Sequence, residues 1–279
     1  MSALSASRWE KTAFRGFFER QYHLYRRYWV WEVVWFLYSV ATVLSVGYLA
    51  SGLGAIGAGE TADGVRRAQV YLLVGALLWT FMSLLFHETS FAIAWERWEG
   101  TIEYTFMAPV RRLTHLAGVS FFSLFYGLLR SALILIAVVL LIHVDLNHAD
   151  FAAAALVLAA STVPLMGLGI FVAILPLLSP EKGEQMTFAV QGILLLVSGV
   201  YYPLTVLPGA FQVIGHASPL TYTLQGVRDA LINHTGIVDL LPTVGLLLAM
   251  GVVLILGGLM AFAAAERRAK RMGLLKRNG

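Results

Sequence analysis

The segment from Trp95 to Pro109 carries a pattern of charged and aromatic residues that could bind a partner. Its apolar residues and its acidic residues each recur at steps of three or four, so the two sets occupy different faces of one predicted amphipathic helix. An acidic face is repelled by anionic lipid headgroups and attracted by basic groups or helix N-termini of a protein. The pattern therefore predicts either a protein-binding surface or the solvated face of a surface helix. Its residues are Trp95, Glu96, Arg97, Trp98, Glu99, Gly100, Ile102, Glu103 and Phe106.

Arg130 is a full charge within a long apolar window. A charge at the centre of a spanning helix costs about 2.5–3.5 kcal/mol on insertion scales, so we expect Arg130 to face other helices or a cavity. Glu32 and Glu88, near the ends of other apolar windows, are candidate partners, and the sequence does not choose between them. A structural role for Arg130 and a role in substrate binding both stay open.

The stretch 203–227 contains no Asp, Glu, Lys or Arg, yet three prolines interrupt it. Because proline removes a backbone donor and breaks a helix, this stretch cannot form one continuous span. Non-helical backbone is tolerated at membrane depth only where protein or a cavity satisfies its polar groups. We therefore predict two short re-entrant helices here.

Motifs for nucleotide binding and hydrolysis are missing from the sequence. No lysine follows a glycine, so there is no Walker A loop and no ATP site of that kind. No serine lies in a Gly-x-Ser-x-Gly elbow, and His87-Glu88 lacks the second histidine of a zincin. The histidines show no ligand spacing, so we expect neither a metal nor a cofactor in this chain.

The composition excludes soluble and disordered classes of protein. The 279 residues are 58% apolar and 13% charged, where a soluble domain has about 25% charged residues, and the mean hydropathy is +0.75. The absence of cysteine excludes a disulfide framework and a thiol nucleophile. The formal charge of +4 comes from basic residues beside apolar runs at both chain ends. This placement indicates membrane orientation and not nucleic-acid binding.

Six apolar windows are near or above the length of about 20 residues that a helix needs to cross a bilayer. They predict an all-α integral membrane protein with an interfacial amphipathic helix at 1–29, a six-span bundle at 30–265 and a basic tail at 266–279. Because both basic ends are expected in the cytoplasm, an even number of spans is required. The windows are Val33–Gly59, Ala68–Phe86, Leu116–Ile142, Phe151–Leu178, Met186–Tyr202 and Leu240–Ala265.

The sequence resembles the permease subunits of ABC-2 type exporters, a family that includes drug, O-antigen, teichoic-acid and nodulation-factor exporters. Residues 96–109 are similar to the segment after span two of that family. Residues 198–203 with Leu207-Pro208 resemble its motif at the end of span five, and Ser218–Tyr222 followed by Arg228 resembles a third motif. With the six predicted spans, the resemblance covers nearly the whole chain.

The resemblance implies a dimer of two six-span protomers in the bacterial cytoplasmic membrane, with two separate cytoplasmic ATPase subunits that bind ATP and Mg²⁺. Residues 95–108 would form the cytoplasmic coupling helix between spans two and three. The re-entrant pair between spans five and six would line the path of an amphipathic substrate, such as a drug, a lipid or a lipid-linked glycan. The candidate path residues are Arg130, Tyr201, Tyr202, Pro203, Phe211 and Tyr222.

Two other functions compete with the exporter. A self-sufficient secondary transporter or channel would move its substrate without an ATPase. A membrane-embedded lipid-modifying enzyme would need polar catalytic groups that converge near one interface, and Glu88, His87 and Arg130 do not form a recognisable set.

Overall fold

The computed structural model describes residues 3–55, 62–142, 150–179, 181–233 and 235–275. Gly59, which ends the first predicted span, and Lys276 and Arg277 of the predicted tail lie outside the described residues. The regular elements within those ranges are helices. They are α1 (Ala3–Arg27), α2 (Trp29–Ala55), α3 (Ala62–Glu99), α4 (Ile102–Met107), α5 (Arg112–Ile142), α6 (Phe151–Val172), α7 (Ile174–Leu178), α8 (Gly183–Val197), a 3₁₀ turn (Leu204–Val206), α9 (Gly209–Ala217), α10 (Pro219–Leu231) and α11 (Ile237–Arg271).

Five of the described helical segments are long and apolar enough to cross a membrane, which confirms the all-α integral membrane class. They are Trp29–Leu49, Arg67–Glu99, Arg112–Leu141, Phe151–Leu178 and Ile237–Arg271. The sixth apolar helix, α8, has only 15 residues. At 1.5 Å per residue it is about 22 Å long, whereas the hydrocarbon core is about 30 Å thick. The fifth predicted span is therefore a short helix that ends before the predicted limit at Tyr202.

Two short helices, α9 and α10, follow α8, as the prolines predicted. Pro208 precedes α9, and Pro219 is the first residue of α10. Proline suits the first turn because its missing N–H would have no helical partner there.

The helix α3 is central, since it packs against α2, α5 and α6 and also contacts α8 and α10. Its buried Phe81 and Met82 lie in one core cluster with Leu165 of α6, Leu224 of α10 and Leu247 of α11. The outer faces of the long helices expose large apolar side chains instead. Leu37, Leu129, Leu140, Val253 and Met260 are examples. Such an exterior suits hydrocarbon and not water.

The bundle has two ends that differ in charge. The basic end contains α1, α4, residues 108–111 and the last turns of α11, which carry Arg267, Arg268, Lys270 and Arg271. The opposite end contains residues 198–206, α9, α10 and the first turns of α3. Because α3 runs from one end to the other without a break, it connects both.

Candidate functional site

The predicted helix over Trp95–Phe106 is broken in the structure. The spanning helix α3 continues to Glu99, and α4 begins at Ile102. Gly100 between them has a φ of 74°, a left-handed conformation that glycine adopts without a Cβ clash. The prediction of one continuous amphipathic helix was therefore wrong, because the chain reverses at Gly100 and re-aims every side chain that follows.

Glu96 is buried and binds two basic side chains of its own chain. Its Oε1 atom lies 3.0 Å from Arg20 Nη1 and 3.0 Å from His115 Nε2. Arg20 Nη2 also donates to Glu99 Oε2 at 3.0 Å and to Thr101 Oγ1 at 3.1 Å. One arginine of α1 therefore joins the end of α3 to the beginning of α4.

Arg97 is also buried, with 2% of its surface exposed. Its Nη1 donates to the carbonyl oxygen of Leu274 at 2.6 Å, and its Nη2 lies 3.4 Å from the carbonyl oxygens of Pro176 and Leu177. These carbonyls belong to α7 and to the segment after α11. Arg97 thus fixes the end of α3 to two further parts of the basic end.

Arg112 holds the C-terminal end of α4. It donates to the carbonyl oxygens of Thr105 and Phe106, each at 3.0 Å, and its guanidinium lies 4.2 Å from the Phe106 ring centroid. The last carbonyls of a helix have no partner within the helix, so these bonds satisfy them. Glu266 of α11 accepts a bond from Arg112 Nε at 3.2 Å and pairs with Lys270 at 2.8 Å.

The two faces of α4 have different environments. Ile102 and Phe106 are buried in a cluster with Leu116 of α5 and Phe262 of α11. The opposite face is open, since Tyr104 is 78% exposed and Met107 is 80% exposed. Trp98, at the end of α3, and Glu103 are exposed as well. We call Trp98, Glu103, Tyr104 and Met107 the α4 surface.

The nine predicted interface residues are therefore divided by the structure into buried, half-buried and exposed groups. Those on the same predicted acidic stripe differ most, because Glu96 is buried and Glu103 is exposed. The buried group is Glu96, Arg97, Ile102 and Phe106, the half-buried group is Trp95, Glu99 and Gly100, and the exposed group is Trp98 and Glu103.

The aromatic face of α1 packs on α5. The ring centroids of Phe17 and His115 are 4.5 Å apart, and Phe18 and Tyr25 lie 5.4 Å and 5.0 Å from Phe122. The predicted N-terminal helix is confirmed as a helix. Its rings bring Arg20 within reach of Glu96.

Arg130 lies between α5 and α2, and the structure chooses Glu32 as its acidic partner. The distance from Arg130 Nη1 to Glu32 Oε2 is 3.8 Å, and Nη2 donates to the Trp35 carbonyl at 2.6 Å and to Ser39 Oγ at 2.8 Å. Tyr126 donates to the same Glu32 oxygen at 2.5 Å. These bonds join α5 to α2.

Glu88, the other candidate partner, hydrogen-bonds to Tyr25 of α1. Burial and the nearby carboxylates raise the pKa of Tyr25 well above its ordinary value, so its hydroxyl stays protonated. A cavity of about 50 Å³ lies beside the two side chains. It is large enough for water.

The candidate path residues are not gathered into one site. Arg130 binds residues of α2, whereas the Tyr202 hydroxyl donates to the Leu196 carbonyl and the Tyr222 hydroxyl donates to the His216 carbonyl, each at 2.8 Å. Phe211 and Pro203 are exposed, and Tyr201 packs against the core. Tyr202 and Tyr222 thus have local structural partners at the opposite end.

Sequence reasoning missed Arg20, His115, Tyr104 and Met107. Arg20 and Glu96 are 76 positions apart, and no local pattern links them. Tyr104 and Met107 had a usable signal, because they lie on the face of α4 opposite the apolar Ile102 and Phe106.

A protein-family model with the description ABC-2 type transporter matches residues 12–232, which is well over half of the chain. The match includes α4, its surroundings and the short helices of the opposite end. Among curated proteins, none matches the sequence at a significant level.

Proposed function

The chain belongs to the ABC-2 type transporter family, as the membrane permease subunit of an ABC transporter, and we propose that it works as an exporter driven by separate ATPase subunits. The ATPase subunits would bind ATP and Mg²⁺ and would dock at the α4 surface. The exported substrate is amphipathic: a drug, a lipid or a lipid-linked glycan.

The observation that carries this proposal is that α4 is bonded to its neighbours on one side and exposed on the other. Arg20 of α1 holds the turn before α4, Arg112 of α5 holds its C-terminal end, and Arg97 fixes the end of α3. The outward face of α4 is open. A short helix that is fixed on one side and exposed on the other transmits a push to the helices that hold it.

This geometry supports the following mechanism. Closure of the ATPase dimer on ATP would push on Tyr104 and Met107, and the bonds of Arg20, Arg97 and Arg112 would carry the displacement into α1, α3, α5 and α11. Two such protomers would then open a path, either by alternating access or as a gated channel. Tyr201, Tyr202, Pro203, Phe211 and Tyr222 would line its outer part, since amphipathic rings suit sugars and lipids, whereas the bonds of Arg130 favour a structural role.

The charge of the two ends supports one orientation in the membrane. The basic end would lie in the cytoplasm of a bacterium, beside the inner leaflet, because basic loops are retained on that side. The α4 surface would then face the compartment that contains ATP. The opposite end would face outward.

Charge introduced on the α4 surface tests the docking proposal. We expect Tyr104→Asp with Met107→Asp to lower ATPase co-purification and substrate-stimulated ATP turnover at least about tenfold, because a desolvated carboxylate at an apolar interface costs more than 1.4 kcal/mol. The matched control is Met272→Asp, an exposed methionine at the same end, which should leave both unchanged.

Each component of the proposal has its own contradicting result. Full assembly and turnover in the double variant would contradict docking at α4. Transport by the purified chain in vesicles that contain no ATPase would contradict the ATP-driven exporter and favour a self-sufficient transporter.

A further inference from the structure

Arg228 of α10 is buried at the opposite end, with 7% of its surface exposed. Its Nη1 donates to the Gly199 carbonyl and to the Tyr71 hydroxyl, both at 2.9 Å, and its Nη2 donates to the Val200 carbonyl at 2.5 Å. The guanidinium carbon lies 3.6 Å from the Tyr71 ring centroid. One side chain therefore joins α10, the turn after α8 and the first turns of α3.

The partners of Arg228 are neutral. Among the described residues no carboxylate pairs with this guanidinium, and its neighbour Asp229 accepts a bond from Asn233 instead. A buried cation that faces only carbonyl and hydroxyl dipoles recovers full hydration when the site opens, and the released carbonyls can bind water. Such a contact separates more easily than a buried ion pair.

Gly75 of α3 makes this contact possible. A Cβ atom added there would lie 2.1 Å from the Val200 carbonyl oxygen and 2.6 Å from Arg228 Nη2. Real Cβ atoms do not approach a backbone oxygen that closely, so any larger residue must push the turn away. The turn after α8 is seated against α3 only because position 75 has no side chain.

We propose that Arg228 is the positioning residue of a latch that closes the opposite end of the translocation path. The latch consists of Arg228, Tyr71 and the carbonyls of Gly199 and Val200, and it holds the turn 198–203 against α3. It rests on the proposed function, since a latch needs a path to close. When α3 moves during the transport cycle, Tyr71 moves with it, the bonds to the two carbonyls break, and the turn leaves α3.

A single engineered thiol can report the state of the latch. The chain has no cysteine, and the Val200 side chain is fully buried in the core, so Val200→Cys should be protected from N-ethylmaleimide while the latch is closed. In the permease reconstituted in lipid nanodiscs, we expect Arg228→Gln to raise its labelling rate about tenfold or more, because bonds that hold the turn are lost.

Gly75→Ala is the second way to open the latch, because it displaces the same turn while Arg228 is kept. The matched control is Gly192→Ala on α8, where an added Cβ meets nothing within 4 Å, and its labelling should not change. Tyr71→Phe keeps the ring and removes the hydroxyl, so Val200→Cys should be labelled at a rate between those of the native chain and Arg228→Gln. Tyr71→Phe replaces Arg228→Gln in the test if that variant does not fold. Protection of Val200→Cys in all three latch variants would overturn the proposal.

Movement during transport is tested in the complete complex with its ATPase subunits. Addition of ATP should raise the labelling of Val200→Cys in the otherwise native permease, and Arg228→Gln should remove this dependence. Unchanged labelling on ATP addition would overturn the latch as a moving part and make Arg228 a fixed brace. Failure of the chain to assemble with an ATPase would contradict the proposed function, whereas the labelling of the permease alone would still report the bonds of Arg228.

Discussion

The two ends of the bundle are both held by buried or half-buried arginines, but the arginines face different partners. At the basic end, Arg20 and Arg112 pair with the carboxylates of Glu96 and Glu266, and Arg97 and Arg112 also donate to backbone carbonyls. At the opposite end, Arg228 faces carbonyl oxygens and a tyrosine. The bonds that hold α4 and the end of α3 thus include charge pairs, whereas the turn 198–203 is held by bonds from Arg228 to neutral groups.

The energies of the two kinds of contact support this difference. Removal of one partner from a buried ion pair costs about 3–5 kcal/mol, because the other charge is left without compensation. A hydrogen bond between neutral groups contributes about 0.5–1.5 kcal/mol, and one to a charged group contributes about 1.5–3 kcal/mol. Loss of one carboxylate at the basic end is therefore expected to cost more than loss of any single bond of Arg228.

The largest effect is expected for Glu96→Ala. It leaves the buried His115 without its carboxylate and leaves the partly buried Arg20 with Glu99 alone, so we expect the free energy of unfolding in detergent to fall by about 3 kcal/mol, the lower limit for a broken buried ion pair. Glu103→Ala, from the same acidic stripe but exposed, should change it by less than about 0.5 kcal/mol. Equal losses of stability in the two variants would contradict the conclusion that Glu96 is buried in an ion pair and Glu103 is exposed.

A smaller effect is expected when the arginine at each end is replaced by lysine, and the size of the loss should differ between the two ends. Arg228→Lys keeps the charge but loses the planar fork and the stacking on Tyr71, so we expect a loss of about 2 kcal/mol in the free energy of unfolding. Arg20→Lys still places a cation between Glu96 and Glu99, and we expect a loss of about 1 kcal/mol or less. The reverse order would show that the opposite end depends on charge and not on geometry.

The smallest effect is expected from salt. Arg20 and Glu99 are partly exposed, so ions can weaken their attraction, whereas dipole contacts have little dependence on ionic strength. Between about 0.15 M and 1 M salt we expect amide hydrogen exchange of residues 101–107 to rise by about twofold to threefold. Exchange of residues 198–206 is the internal control and should stay constant.

The sequence predicted the elements better than their contacts. Apolar windows and prolines are local signals, so they located the long helices and the pair α9 and α10. The break at Gly100 depends on one positive φ angle, which the sequence pattern of residues 95–106 does not reveal. The bonds of Arg20 and Arg228 join positions 76 and 157 residues apart, and such pairs are set by the packing of whole helices.

The acidic partner of Arg130 could be predicted from the sequence only in part. The cost of a lone charge in an apolar window predicted that Arg130 has a partner inside the bundle, and two glutamates were candidates. Only the register of α2 against α5 decides that Glu32 is the nearer one.

The length of α3 has a mechanical consequence. Tyr71 and Glu96 lie on this one unbroken helix, about 38 Å apart at 1.5 Å per residue. A rigid rod of that length converts a tilt of about 5° at one end into a shift of about 3 Å at the other, which is comparable to the whole length of an N–H···O contact. A displacement at the basic end too small to break the ion pairs of Arg20 would therefore be enough to separate Tyr71 from Arg228 at the other end of the helix.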